Sequence, residues 1–172
     1  FPYTTLFRSE YVGEYFKCRK YITGFTGSAG TAVIMQDMAG LWTDGRYFIQ
    51  AADQLEGTGI TLFKMGEPEV PTVHEFLKKN LTQGMCLGFD GRTVSSKEAS
   101  ELEKMLDENG VSLSVDHDLA GDIWENRPVL SCEPVTELDI KWAGESRADK
   151  CARIRKAMEK KGADLFVLTR SE

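Results

Sequence analysis

Apolar positions change period repeatedly along this chain, and each change marks an element. Residues 14–22 mix charged and aromatic side chains, with Tyr15, Phe16, Cys18 and Ile22 spaced for a short amphipathic helix. The run Gly24-Phe-Thr-Gly-Ser-Ala-Gly30 then breaks the helical period. Residues 31–35 are β-branched and apolar, residues 37–40 turn, and Leu41-Trp42-Thr43 return as a second strand. That pairing predicts a hairpin. Asp44 stands where a helix N-cap belongs, ahead of an apolar face made by Tyr47, Phe48, Ala51, Ala52 and Leu55. Residues 57–59 end it.

Strand and helix patterns alternate from there. Residues 60–63 read as a strand, and Thr72 with Glu75 forms a capping box for a helix burying Val73, Phe76, Leu77 and Leu81. Residues 85–89 read as a strand. Ser95 with Glu98 makes another capping box, for a helix that buries Ala99, Leu102, Met105 and Leu106 before Gly110 stops it. Val111, Leu113 and Val115 alternate as a last strand. Strands separated by helices of this length predict an α/β layer, and the early hairpin makes its sheet mixed.

The character changes after that strand. Residues 116–138 show no long period and hold Pro128 and Pro134. Ser146 and Asp149 then cap a basic helix expected to turn Ala148, Cys151, Ile154 and Met158 inward; Gly162 closes it, and residues 165–168 open a strand. A lone helix and strand cannot bury their own faces, so the expected organisation is a first domain over residues 10–122, a linker over 123–138 and the truncated start of a second domain over 139–169. The ends fit neither domain. Phe1 to Ser9 reads FPYTTLFRS, an in-frame translation of a common sequencing adapter, and residues 170–172 match the translated start of its reverse complement. Both are expected to be foreign and are excluded from fold reasoning.

Charge and cysteine usage narrow the function classes. A formal charge of −6 lacks the concentrated Lys and Arg that non-specific nucleic-acid binding requires. No apolar run approaches the roughly 20 residues that span a bilayer, and no secretion signal opens the chain. Cys18, Cys86, Cys132 and Cys151 form no C-x-x-C pair and read as reduced, mostly buried thiols of a cytoplasmic protein.

Candidate chemistry is sparse. Gly24, Gly27 and Gly30 give G-x-x-G-x-x-G ahead of a strand, whereas a dinucleotide fingerprint needs G-x-G-x-x-G after one, and a P-loop needs a lysine that is absent. The competing reading gives these glycines left-handed or tightly approached backbone. Ser28 lacks the glycine of a nucleophile elbow at Thr26. His74-Glu75 starts a zincin motif, but Lys78 occupies the second histidine position, so His74 reads as a solvated helix residue. Asp116-His117-Asp118 suits a turn better than a metal site, because adjacent side chains of an extended segment point to opposite faces. No catalytic and no metal-ligating constellation emerges.

Three stretches together resemble one family. Tyr21-Ile-Thr-Gly-Phe-Thr-Gly-Ser-Ala-Gly-Thr31 is similar to the signature of the creatinase/prolidase N-terminal domain as it occurs in Xaa-Pro aminopeptidases. Leu41-Trp-Thr-Asp-Gly-Arg-Tyr-Phe-Ile-Gln-Ala51 is similar to the next block, and residues 135–169 resemble the junction into the second N-terminal domain of longer members. The resemblance implies a ribonuclease-H-like layer, and a C-terminal catalytic domain, outside this fragment, in which two Mn²⁺ or similar divalent ions activate water. It implies no cofactor within the fragment. It implies that such a domain supports homodimerisation and walls off the active site, favouring short peptides with proline second. By the same resemblance the loop of Phe25, Thr26, Gly27 and Ser28 approaches the active-site mouth, with Asp44 and Arg46 in a similar polar role. Asp44 as a helix cap, and Trp42 and Tyr47 as core, are the competing readings of that block. A non-enzymatic peptide- or protein-binding module of the same ancestry is the alternative function.

Overall fold

A computed structural model describes residues 12–130, 132–134 and 136–167. The two ends expected to be foreign, residues 1–9 and 170–172, lie outside the described residues. The chain divides into two compact units, Phe1–Leu130 and Ser131–Glu172.

In the first unit a 3₁₀ turn, Glu14–Phe16, leads into α1 (Cys18–Thr23), which Gly24 ends in the left-handed region at φ 74°. The amphipathic segment is therefore two short helices rather than one. β1 (Thr31–Ile34) and β2 (Ala39–Thr43) form the expected antiparallel hairpin, pairing Thr31 with Trp42 and Ile34 with Ala39. A second 3₁₀ turn, Gly45–Tyr47, runs into α2 (Phe48–Leu55), and β3 (Ile60–Lys64) returns parallel to β2. The mixed sheet is thus ordered β1-β2-β3. α3 (Val73–Asn80), β4 (Cys86–Gly88), α4 (Ser96–Asp107) and β5 (Ser112–Ser114) follow, with β4 and β5 parallel in a separate two-stranded sheet.

Alternation along the strands sorts the core into two layers. Successive strand residues point to opposite faces, so Leu41 packs with Phe25, Ala51 and Leu55 beneath α2, while Trp42 packs with Val73, Leu77 and Leu102 of α3 and α4. Ala32 and Val33 divide the same way, as do Leu62 and Phe63. The Trp42 ring stacks on its register partner Phe63 at 4.0 Å, and Phe76 meets it edge-on at 4.9 Å. Gly40 makes room for that stack: a Cβ there would stand 2.7 Å from Phe63 and 2.8 Å from Trp42.

The cap signals match the structure closely. Thr72 and Glu75 form both halves of their capping box, whereas the second shows the half in which Ser95 accepts from the Glu98 N–H. Ala52, expected on the buried face of α2, is exposed. The span read as irregular contains α5 (Leu119–Ile123), capped by the Asp118 carboxylate at the Gly121 N–H. Five residues are too few for a helical period to show in sequence; Tyr21, donating to the Ile123 carbonyl and stacking on Trp124 at 4.4 Å, holds the segment instead.

The second unit contains α6 (Ile140–Ala143) and α7 (Arg147–Lys161), the latter capped by Ser146 and ended by left-handed Gly162. Its inward face does not form. Ala148, Cys151 and Ile154 are exposed and Met158 is only half-buried. Residues 165–167 adopt no strand and are exposed, and Leu168 lies outside the described residues. With no opposing layer in the unit, Trp142, Leu165, Phe166 and Val167 keep more than half of their surface in water.

Candidate functional site

The sequence from Thr23 to Gly30 alternates inward and outward, and that alternation makes the loop. Thr23, Phe25, Gly27 and Ala29 are buried, whereas Thr26 and Ser28 are exposed. The Phe25 ring is wholly buried, lying edge-on to Tyr47 at 5.9 Å with the Arg19 guanidinium 5.6 Å from its centre. Gly27 sits directly on that ring, where a Cβ would come within 2.2 Å of it; at Gly30 a Cβ would stand 2.9 Å from the Trp42 carbonyl oxygen. These are close approaches that only glycine allows.

Backbone groups of the loop are already engaged. Arg19 donates to the carbonyls of Gly27 and Gly30, Thr43 donates to the Ala29 carbonyl, and the Phe25 and Thr26 amides donate to Thr23 Oγ1 and Gln54 Oε1. A phosphate cradle turns free amides toward its anion. Here the Gly27 and Gly30 carbonyls turn toward a guanidinium, which counts against the nucleotide reading.

The outward face is a polar cluster on α2 and the turn before it. Thr26 Oγ1 accepts from the side-chain amides of Gln50 (2.8 Å) and Gln54 (2.9 Å), and Ser28 shares a hydrogen bond with the Tyr47 hydroxyl (2.7 Å). Arg46 lies 5.1 Å over the Tyr47 ring and grips Asp44 through Nε (2.9 Å) and a second nitrogen (2.8 Å). That hydrogen-bonded guanidinium holds the Asp44 carboxyl below its ordinary pKa, although partial burial opposes it. Asp44 also caps the turn at the Arg46 N–H. Tyr47 therefore links Ser28 and Arg46 over a buried Phe25, while Thr26 is held by Gln50 and Gln54 and Gly27 by Arg19. Sequence reading missed Gln50 and Gln54, whose only signal was their position one turn apart on the exposed side of an amphipathic helix.

Other candidates fall elsewhere. His74 is half-buried rather than solvated and faces Glu98 across α3 and α4 at 3.5 Å. His117 is exposed, 3.7 Å from Asp122, while Asp118 turns away to Arg92 and Arg127. Cys18 is half-buried, and burial raises its thiol pKa against the pull of Arg127, which disfavours the thiolate. Cys86, Cys132 and Cys151 are exposed, contrary to the expected burial, and no disulfide joins the four. Among the described residues no group of three or more His, Cys, Asp or Glu is placed to hold a metal ion, and no helix is long and apolar enough to cross a membrane.

The fold agrees with what the chain resembles among known proteins. A family profile described as creatinase/prolidase N-terminal domain matches residues 17–121, and a second of the same description matches residues 126–172. The chain belongs to the creatinase/prolidase N-terminal domain family. It is 42% identical over 163 residues to a probable Xaa-Pro aminopeptidase P of Laccaria bicolor, covering 94% of this chain and 25% of that protein. An Xaa-Pro aminopeptidase of Caenorhabditis elegans is 35% identical, over 98% of this chain and 27% of its own length. The crystal structure of an X-prolyl aminopeptidase from Caenorhabditis elegans, described as a cytosolic enzyme with a di-nuclear active site, superposes with a TM-score of 0.80 at 34% identity, covering 95% of this chain and 27% of that one. The chain thus spans about a quarter of the relatives it matches.

Gly27→Val is the direct check on the loop. Branching into the Phe25 ring is expected to cost about 1–3 kcal/mol, typical of overpacking a filled core, read as a lower urea midpoint. An unchanged midpoint would show that the ring can move aside.

Proposed function

We propose that the chain is the non-catalytic N-terminal part of a metal-dependent Xaa-Pro aminopeptidase, an enzyme that removes the first residue from peptides with proline second. What carries this reading is similarity running through nearly the whole chain to the aminopeptidases named above, at up to 42% identity. Its partner is then its own C-terminal catalytic domain, which would supply the divalent ions, Mn²⁺ by the resemblance. In this reading the ions belong to that catalytic domain, and the present chain contributes through shape rather than chemistry. The braced loop of Thr26, Gly27 and Ser28, with Arg46 beside it and Phe25 as its anchor, forms part of the wall that admits short proline-containing peptides and excludes longer chains. Dimerisation of the cytoplasmic enzyme through this N-terminal region completes the proposal.

The test uses the full reading frame. Purified full-length protein is expected to release the first residue of a peptide with proline second, dependent on added Mn²⁺, while residues 10–169 alone do not. A silent full-length protein would shift the reading to a peptide- or protein-binding module of the same ancestry.

A further inference from the structure

Arg19, the second residue of α1, carries a partly buried guanidinium with no carboxylate beside it among the described residues, and its buried Nε has no hydrogen-bond partner there. Burial pulls its pKa down, yet a guanidinium stays protonated in proteins. Buried cations are ordinarily paired with an anion. Arg19 has two loop carbonyls instead. Nη1 donates to Gly30 at 2.6 Å and Nη2 donates to Gly27, with the Phe25 ring 5.6 Å from the guanidinium carbon.

Packing alone does not call for that arrangement. An unbranched apolar side chain such as methionine would cover the Phe25 ring with no charge to desolvate, and apolar replacements of buried charges are often neutral or stabilising. What methionine lacks is the fork. Donors fixed in one plane bridge carbonyls three residues apart, and so set the peptide planes before Ser28 and after Gly30. The brace also closes on itself. Thr23 Oγ1 donates to the Arg19 carbonyl at 2.8 Å and accepts from the Phe25 amide at 3.1 Å. α1 therefore holds the loop at its start through Thr23 and at its end through Arg19, while Gln54 of α2 ties Thr26 and Thr43 of β2 ties Ala29.

We infer that Arg19 is a positioning residue: it holds residues 27–30 in the shape that a short peptide meets, and so sets peptide affinity rather than the chemical step. It acts through the loop and touches no substrate itself. This rests on the reading of the loop as part of the substrate wall. A loop ordered in advance loses no further conformational freedom when peptide binds. A loop released from its brace loses that freedom at binding, which raises KM and leaves kcat.

The experiment compares Arg19→Met and Arg19→Lys with wild type in the full-length protein. For Arg19→Met, KM for a tripeptide with proline second is expected to rise by about fivefold to tenfold, with kcat within about twofold of wild type. Arg19→Lys keeps the charge without the fork and is expected to fall between; it carries the same readouts if methionine unfolds the unit. Partial unfolding would instead lower kcat with the amount of active enzyme and leave KM alone, and that result would overturn the proposal. Amide hydrogen exchange needs no activity. In peptides covering residues 25–30 it is expected to quicken by about tenfold or more in Arg19→Met, while exchange in α3 stays within about twofold. Unchanged exchange at residues 25–30 would overturn the brace whatever the kinetics. Faster exchange with an unchanged KM would overturn the substrate role and leave the peptidase reading intact, whereas a wild-type enzyme silent on the tripeptide would overturn both.

Discussion

Replacing Trp42 with alanine is expected to destabilise the first unit by about 3–5 kcal/mol, the range for large aromatic truncations in a packed core. The ring is fully buried, stacks on Phe63, meets Phe76, and its indole N–H donates to the Pro71 carbonyl at 2.8 Å. Truncation opens a cavity between the sheet and α3, and it leaves a carbonyl without its donor. Against a typical domain stability of about 5–15 kcal/mol, that loss populates unfolded chains at ordinary temperature. The effect reaches the polar loop, because Thr43, next along β2, holds the Ala29 carbonyl. Urea denaturation followed by near-ultraviolet dichroism measures it. Trp42→Phe, which keeps an aromatic ring but no N–H, should fall between; a loss below about 1 kcal/mol for the alanine would mean the three-ring cluster is not a core.

Arg127→Met should be the next most damaging change, at about 2–3 kcal/mol. Its side chain is 9% exposed and donates to Asp118, to the Tyr15 carbonyl at 2.9 Å and to Cys18 Sγ at 3.2 Å, with its guanidinium 3.7 Å over the Tyr15 ring. Breaking a fully buried pair costs roughly 3–5 kcal/mol; here Asp118 is 21% exposed and keeps Arg92 at 2.7 Å, which lowers the figure. The network also sets a pH signature. Burial pushes the Asp118 carboxyl up, but hydrogen bonds from Arg127 and the Gly121 N–H, with the charges of Arg127 and Arg92, outweigh it and hold its pKa below the ordinary 3.8. A carboxylate whose folded pKa is depressed stabilises the fold above its unfolded value, and that contribution is lost as pH falls through the folded value. The wild-type urea midpoint should therefore drop below pH 3.8 more steeply than that of Arg127→Met. Parallel acid limbs would show that Asp118 gains nothing from Arg127.

Much of the first unit was legible because its signals are local. The hairpin at residues 31–43 follows from two apolar runs around a turn, and the helices of 8 and 12 residues announce their own caps at Thr72 and Ser95. The glycine loop was legible as geometry rather than chemistry, since no lysine followed it. Partners distant in sequence were not legible. Arg127 reaches Tyr15 and Cys18 across more than a hundred residues, and nothing near position 127 announces it. Gln50 and Gln54 looked like ordinary solvated residues until the fold set them against Thr26.

The sequence by itself determined most element boundaries between residues 31 and 115 and the family to which the chain belongs, because capping, periodicity and motif spacing act over a few residues. Only the tertiary structure decided what those faces meet. It buried Phe25 under Gly27, set Gln50 and Gln54 against Thr26, and left the α7 face expected to turn inward in water. An apolar face states that it should be covered; its partner is fixed by which surfaces are present to cover it.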